Sequence, residues 1–228
     1  MEFKVIGYVR SDFPEKFGIP RQSGLVEELK ARIVFEPEYL VQESFRGLEG
    51  YYRIWILWQF SEAVRDKWSP TVRPPKLGGN RRVGVFASRS PFRPNPIGLS
   101  AVRLDRIELD GAEGPVLHVS GADIMDGTPV LDIKPYLPYV DAYPDEMGGF
   151  AFQQKGGVLQ VDFPVTLIAK IPDGKREALM AVLAQDPRPA YQEDPERVYN
   201  MSFGGVEVSF TVDGNKLSVV DVRGSVQD

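Results

Sequence analysis

Between Asp126 and Asp141 the chain reads DGTPVLDIKPYLPYVD. Two carboxylates, a lysine and two phenols (Asp132, Asp141, Lys134, Tyr136 and Tyr139) follow one another at short spacing. Groups of these types accept protons and bind anions. The prolines between them stiffen the backbone, so the side chains stand on a rigid base. Asp126-Gly127 followed by Thr128-Pro129 marks a tight turn at the head of the run. The set has the composition of a site rim. It serves equally as an edge strand blunted with charge and proline.

A second stretch, GVFASRSPFRPNPIGLS (Gly84–Ser100), supplies cations on a stiff frame. Ser90, Arg93 and Asn95 each precede a proline, which biases them toward extended backbone. Three amide donors are missing, so the stretch cannot run through the middle of a sheet. Arg89 and Arg93 therefore sit on a preorganised segment suited to a carboxylate, a phosphate or a planar base edge. The competing reading is a proline-stapled crossover that only closes a barrel.

Net charge is −5 over 228 residues. From Ala63 to Arg106, ten basic residues face only Asp66 and Asp105. That segment carries +8 and leaves −13 for the remainder. A basic zone on an acidic protein is the footprint of a polyanion binder, unless its arginines pair with acids elsewhere in the fold. Cysteine is absent, which excludes disulfides, thiol chemistry and cysteine zinc sites. The single histidine, His118, lies mid-strand in VLHVSG, where a packing or surface role is the plain reading. A Ser-His-Asp triad has only this residue to use, and no nucleophile elbow surrounds it. No metal site is expected. Nothing approaches the ~18 apolar residues of a membrane helix, and the N-terminus lacks a signal-peptide core. A cytoplasmic protein is the expectation.

The elements that must hold these groups are short. FKVIGYVRS and RIVFEP alternate as strands, and YYRIWILWQF reads as a central strand apolar on both faces. VGVFA, LSAVRLDRIELDG and PVLHVSGADI add further strands, separated by glycine and proline turns. A mainly β barrel or sandwich is predicted over residues 1–145. The turn-rich stretch 143–157 marks a boundary. A small α+β unit over 155–228 follows. VLQVDFPVTLI reads there as a strand pair or bent strand, DGKREALMAVLAQD as a helix, and VEVSFTVDGNKLSVVDV as a hairpin turning at Asp213-Gly214-Asn215.

RQSGL (Arg21–Leu25), RGLEGYYRIWILWQF, RPPKLGGNRRVGVFASRSPFRPNPIGLS, DGTPVLDIKPYLPY and LAQDPRPAY (Leu183–Tyr191) together resemble the TsaA-like, or TrmO-type, family. The resemblance implies a β-barrel methyltransferase domain, S-adenosylmethionine as cofactor, a homodimer, and methylation of N6 of threonylcarbamoyladenosine beside the tRNA anticodon (position 37). It agrees with the lack of a G-x-G-x-x-G dinucleotide fingerprint. By matching motif, it implies cofactor contacts from Arg21, Gln22, Ser61, Glu62, Arg89 and Leu99, and from the turn Asp126, Gly127, Thr128 and Pro129. Many relatives carry histidine where this chain has Ser61-Glu62, which leaves only backbone contacts to be inherited there.

Methylating a urea-like N6 requires that its proton leave. Asp132, Tyr136 and Asp141 are the candidate acceptors. Lys134 or Arg93 suits the threonyl carboxylate, Arg81 and Arg82 suit tRNA phosphates, and Tyr191 suits stacking on the anticodon loop. Two rivals stay open: a non-catalytic RNA-binding barrel, and a methyltransferase acting on another acceptor. Stabilisation by S-adenosylmethionine separates the first rival from an enzyme.

Overall fold

The computed structural model describes residues 3–65, 67–74, 81–144, 157–189, 192 and 194–224. Six strands form a closed antiparallel barrel in the order β1-β2-β7-β6-β3-β8. They are β1 (Gly7–Arg10), β2 (Lys30–Phe35), β3 (Arg53–Gln59), β6 (Ile97–Glu108), β7 (Val116–Ser120) and β8 (Pro129–Pro135). Closure removes free edges. Period-two alternation then decides what faces inward. Ile33, Ile54, Ile56, Val102, Leu117 and Val130 are fully buried in the barrel.

The excursion from β3 to β6 carries little regular structure. Among the described residues it contains the short ribbon β4 (Thr71–Val72) with β5 (Val83–Gly84), and 3-10 turns at Ser61–Ala63 and Val85–Ala87. VGVFA is therefore only half a strand. Val85 is buried and pins the turn, and the backbone leaves the ribbon there. β6 begins at Ile97, immediately after the last proline of the bridge.

A second sheet, in the order β10-β11-β12-β9, forms from β9 (Gln160–Asp162), β10 (Tyr199–Phe203), β11 (Val206–Asp213) and β12 (Lys216–Gly224). The chain also holds three α-helices among the described residues: α1 (Pro138–Asp141), α2 (Val165–Ile168) and α3 (Arg176–Ala184). α3 buries Ala178, Leu179, Val182 and Leu183 against the second sheet, on the stripe its spacing predicts. β11 and β12 form the expected hairpin, with Gly214 at φ 54° in its turn. VLQVDFPVTLI differs from its reading. Only Gln160–Asp162 is strand, and Val165–Ile168 is a helical turn behind Pro164. Proline removes a ladder donor and preorganises a helix start, so the strand ends there. Most of the 143–157 boundary lies outside the described residues.

Chain order and packing part company at one place. Phe13, Val26 and Leu29 precede β2, yet they are buried in the core of the second sheet. Phe13 meets Phe203 edge-on at 5.2 Å, and Phe17 stacks on Phe210 at 6.5 Å. Gly18 has φ +92°, and a Cβ there would fall 2.1 Å from Met201 Sδ. The second unit thus clamps the loop 11–29 against one end of the barrel.

Candidate active site at the barrel mouth

That clamped loop forms one wall of a cavity of about 540 Å³, within the ~300–1,000 Å³ range of small-ligand sites. Its lining comes from four further segments: the end of β3 and the residues after it, the proline bridge, the start of β6, and the β7–β8 connection. Trp58 forms part of the lining because Gly98 faces it across the β3–β6 pair. A Cβ at Gly98 would fall 2.3 Å from the indole. Trp58 Nε1 donates to Ser100 Oγ at 3.0 Å, and Ser100 Oγ donates to Asp123 Oδ1 at 2.6 Å. Burial pushes the Asp123 carboxyl above the usual range, against the opposing pull of the Ser100 hydrogen bond.

The cavity gathers Arg21, Gln22, Ser61, Glu62, Arg89, Leu99 and Thr128 from their separate segments. Arg89 Nη1 donates to Gln22 Oε1, joining the proline bridge to the clamped loop. Arg93 also lines the cavity, and its guanidinium donates to the carbonyls of Ser88 (3.0 Å) and Ser90 (3.2 Å). The bridge is therefore stapled by its own arginine as well as stiffened by its prolines. Glu62 is ion-paired with Lys16 at 2.7 Å.

Of the Asp126–Pro129 turn, only Thr128 reaches the lining. Asp126 Oδ1 accepts the Ser11 N–H at 2.9 Å. The Gly127 N–H donates to the Val9 carbonyl at 2.9 Å, with φ 72°. The turn is a strut that fixes the depth of Thr128, while Gly127 and Pro129 stay outside the cavity.

Asp132, Lys134, Tyr136 and Asp141 do not line the cavity. The β3–β8 register shifts between Leu57 and Trp58, which sets Asp132 opposite Leu57 and Lys134 opposite Trp55 on the barrel's outer face. Asp132 pairs with Lys134 at 2.8 Å. Tyr136 lies 5.3 Å from the Trp55 ring. Asp141 Oδ2 accepts from the Leu137 N–H and from Trp55 Nε1, both at 2.9 Å, and these bonds hold its carboxyl below the usual range. Leu99, Leu57 and Asp132 form one cross-strand row, so Asp132 stands about 10 Å from the cavity's Leu99 rim. β3 is accordingly not covered on both faces: Trp55 and Leu57 are half-exposed on its outer side.

Of the segment's basic residues, Arg103 and Arg106 pair with Asp105 and Glu108. Among the described residues, Arg65, Lys67, Arg73, Arg81 and Arg82 form no ion pair; Arg82 Nε donates to Thr71 Oγ1 at 2.8 Å. His118 sits on β7 with Nε2 3.0 Å from Glu108, the plain role its position predicts. Tyr191 lies outside the described residues. Arg188 is folded onto Asp186 at 2.8 Å, and its carbonyl lies 3.5 Å from Arg21 Nη2. Asp123, which lines the cavity, is a residue that the sequence reading did not single out. Its only signal was a carboxylate just ahead of the DGTP turn.

The barrel and the second unit are shared with known proteins. The model of the tRNA-methyltransferase O N-terminal domain matches residues 8–142, and that of the TrmO C-terminal domain matches residues 158–225. The chain belongs to the tRNA-methyltransferase O family. It is similar to the Escherichia coli (strain K12) tRNA (adenine(37)-N6)-methyltransferase, with 42% identity over 86% of this chain and 85% of that one. It is also 42% identical to a putative S-adenosylmethionine-dependent methyltransferase, RcsF, of Pseudomonas aeruginosa, over 96% of each chain. A crystal structure of TrmO from Pseudomonas aeruginosa superposes with a TM-score of 0.79 at 33% identity, covering 98% of this chain and 99% of that one. No helix among the described residues is long and apolar enough to cross a membrane.

Proposed function

We propose that the mouth cavity binds S-adenosylmethionine and that the chain methylates N6 of threonylcarbamoyladenosine at position 37 of tRNA. The observation that carries this reading is the convergence of Arg21, Gln22, Arg89, Leu99 and Thr128 on one cavity from distant segments. The donor set suits the cofactor's parts. Trp58, Phe60 and Phe92 offer faces for a purine, Arg21 and Arg89 suit a carboxylate, and Asp123 suits an ammonium or hydroxyl. When bound, the cofactor supplies a methyl group on a sulfonium that already carries its leaving group. The chain's work is then alignment, which can contribute about 7–11 kcal/mol of barrier reduction.

Asp123 takes the N6 proton in this reading. It lines the cavity, and its raised pKa makes it a better proton acceptor than Asp141, whose oxygen is committed to two N–H donors. Asp132, Lys134 and Tyr136 stand on the outer wall, and Arg93 holds the threonyl carboxylate. Arg81 and Arg82 face tRNA phosphates. The half-exposed outer residues Trp55 and Leu57 of β3 are the face we assign to a homodimer contact. The cytoplasm is the compartment that holds this substrate.

The test is mass spectrometry of nucleosides after incubating the purified chain with S-adenosylmethionine and tRNA that carries threonylcarbamoyladenosine. One added methyl on that nucleoside is expected. Methyl on unmodified adenosine alone, or no product, would overturn the reading.

A further inference from the structure

The cavity does not use two of the most exposed rings in the molecule. Trp68 and Phe86 stand on opposite arms of the β4–β5 ribbon, whose ends are tied by the Val85 N–H to Pro70 carbonyl bond at 2.9 Å. Val85 is 1% exposed and anchors the arm, so its neighbour Phe86 is turned outward at 75% exposure; Trp68 is 53% exposed. Their ring centroids lie 6.3 Å apart at 31°. Phe92, on the cavity wall, carries the Arg65 guanidinium 3.8 Å above its ring. Leaving large rings in water forfeits burial free energy that a core would recover. A cluster of them beside a cavity is the mark of a surface with a partner.

Charge chooses the partner. Lys67 adjoins Trp68 in the chain, Arg73 and Arg81 flank the ribbon that carries the rings, Arg65 stacks on the neighbouring Phe92, and none of the four forms an ion pair among the described residues. A second copy docking here about a two-fold axis would set these cations against their own equivalents, a like-charge contact that costs free energy. An anionic partner with flat apolar faces meets both features. Unpaired nucleotides have that chemistry, whereas a duplex hides its base faces.

We propose that Trp68 and Phe86 form a stacking platform for an unpaired base that flanks the methylated adenosine, with the neighbouring arginines on its phosphates. The proposal rests on the tRNA reading above. The platform reads base faces and not edges, so it selects a single-stranded loop without selecting its sequence.

The probe is a synthetic anticodon stem–loop, compared with the same loop bearing an abasic nucleotide beside the target position. Trp68→Ala/Phe86→Ala should bind the intact loop roughly tenfold to a hundredfold more weakly than the native chain. Its affinity for S-adenosylhomocysteine should be unchanged, which shows that the variant is folded. The abasic loop should weaken the native chain by a similar factor and the variant hardly at all, because the lost base and the lost rings are the same interaction. The log–log salt slope should not change, since no charge is removed. Wild-type affinity of the folded variant, equal abasic losses in both proteins, or conversion of a dimer to a monomer by the substitutions would each overturn the platform. A native chain that binds cofactor but no RNA would instead sink the tRNA reading itself.

Discussion

The barrel contains two serine–aspartate pairs with opposite surroundings. On the β2–β6–β7 wall, Asp105 accepts from Ser120, from Lys30 Nζ at 3.0 Å and from Arg103 Nε at 2.8 Å. Burial pushes its carboxyl up, but these three partners outweigh burial and hold it below the usual range. At the mouth, Asp123 has the Ser100 hydroxyl, the backbone N–H groups of Ser23 and of its own residue, and only the more distant charge of Arg89, and burial wins. The wall satisfies its charges internally: Lys30, Arg32, Arg103 and Arg106 all have carboxylate partners. Among the described residues, Asp123 at the mouth has no ion-pair partner, and neither have Arg65, Arg73, Arg81 and Arg82 on the excursion between β3 and β6. That difference separates structural charge from functional charge within one basic segment.

Asp123→Asn should show the contrast most strongly. Turnover should fall by about 10²–10⁴, a larger loss than the weakening of S-adenosylhomocysteine binding read by calorimetry. The acid limb of the pH–rate profile should disappear with it. Undiminished turnover would remove Asp123 from the chemistry.

Arg89→Ala should weaken S-adenosylhomocysteine binding by about tenfold to a hundredfold, the range for a charge-assisted hydrogen bond lost at a ligand. Arg106→Ala, its counterpart on the wall, should bind like the native chain. Equal effects would erase the distinction between the regions.

Arg81→Ala/Arg82→Ala should lower tRNA affinity and reduce the salt slope by about 2, near 0.9 per phosphate contact. Arg32→Ala should leave the slope alone, because Glu113 already neutralises that arginine at 2.6 Å.

The smallest effects are on stability, and they should carry opposite signs. At neutral pH, Asp105→Asn should destabilise the fold and Asp123→Asn should stabilise it. Asp105 has a lowered folded pKa, so its contribution is present above the unfolded value near ~4 and is lost as pH falls through the folded one. Asp123 has a raised folded pKa, so its penalty is full above that value and fades as pH falls toward the unfolded one. Both differences should therefore shrink on acidification in thermal melts. Shifts of the same sign would contradict the electrostatic contrast.

Local pattern made much of the fold legible. Period-two alternation marked β1, β2 and β7, an apolar run marked β3, strand stretches between glycine and proline turns marked β6, and the 3.6 period marked α3. Missing proline donors correctly kept the Arg89–Pro96 bridge out of the sheet. The remainder depends on contacts that sequence spacing does not encode. Whether Asp132, Lys134 and Tyr136 point into a cavity or onto the outer wall depends on one register shift opposite Leu57. Asp123 gains its character from burial in the β7–β8 connection against Ser100, 23 residues away on β6. Phe13, Val26 and Leu29 look like barrel residues by position, and they pack in the second unit because Phe203 and Met201 are there to receive them. The +8 segment was legible as a total, but which cations are paired needed three dimensions.

A crystal structure with S-adenosylhomocysteine bound tests the central claim most directly. The account predicts the ligand in the mouth cavity, against Arg21, Gln22, Arg89, Leu99 and Asp123. A mouth left empty, with the ligand in the cleft of about 560 Å³ lined by Lys30, Asp105, His118 and Lys175, would contradict it.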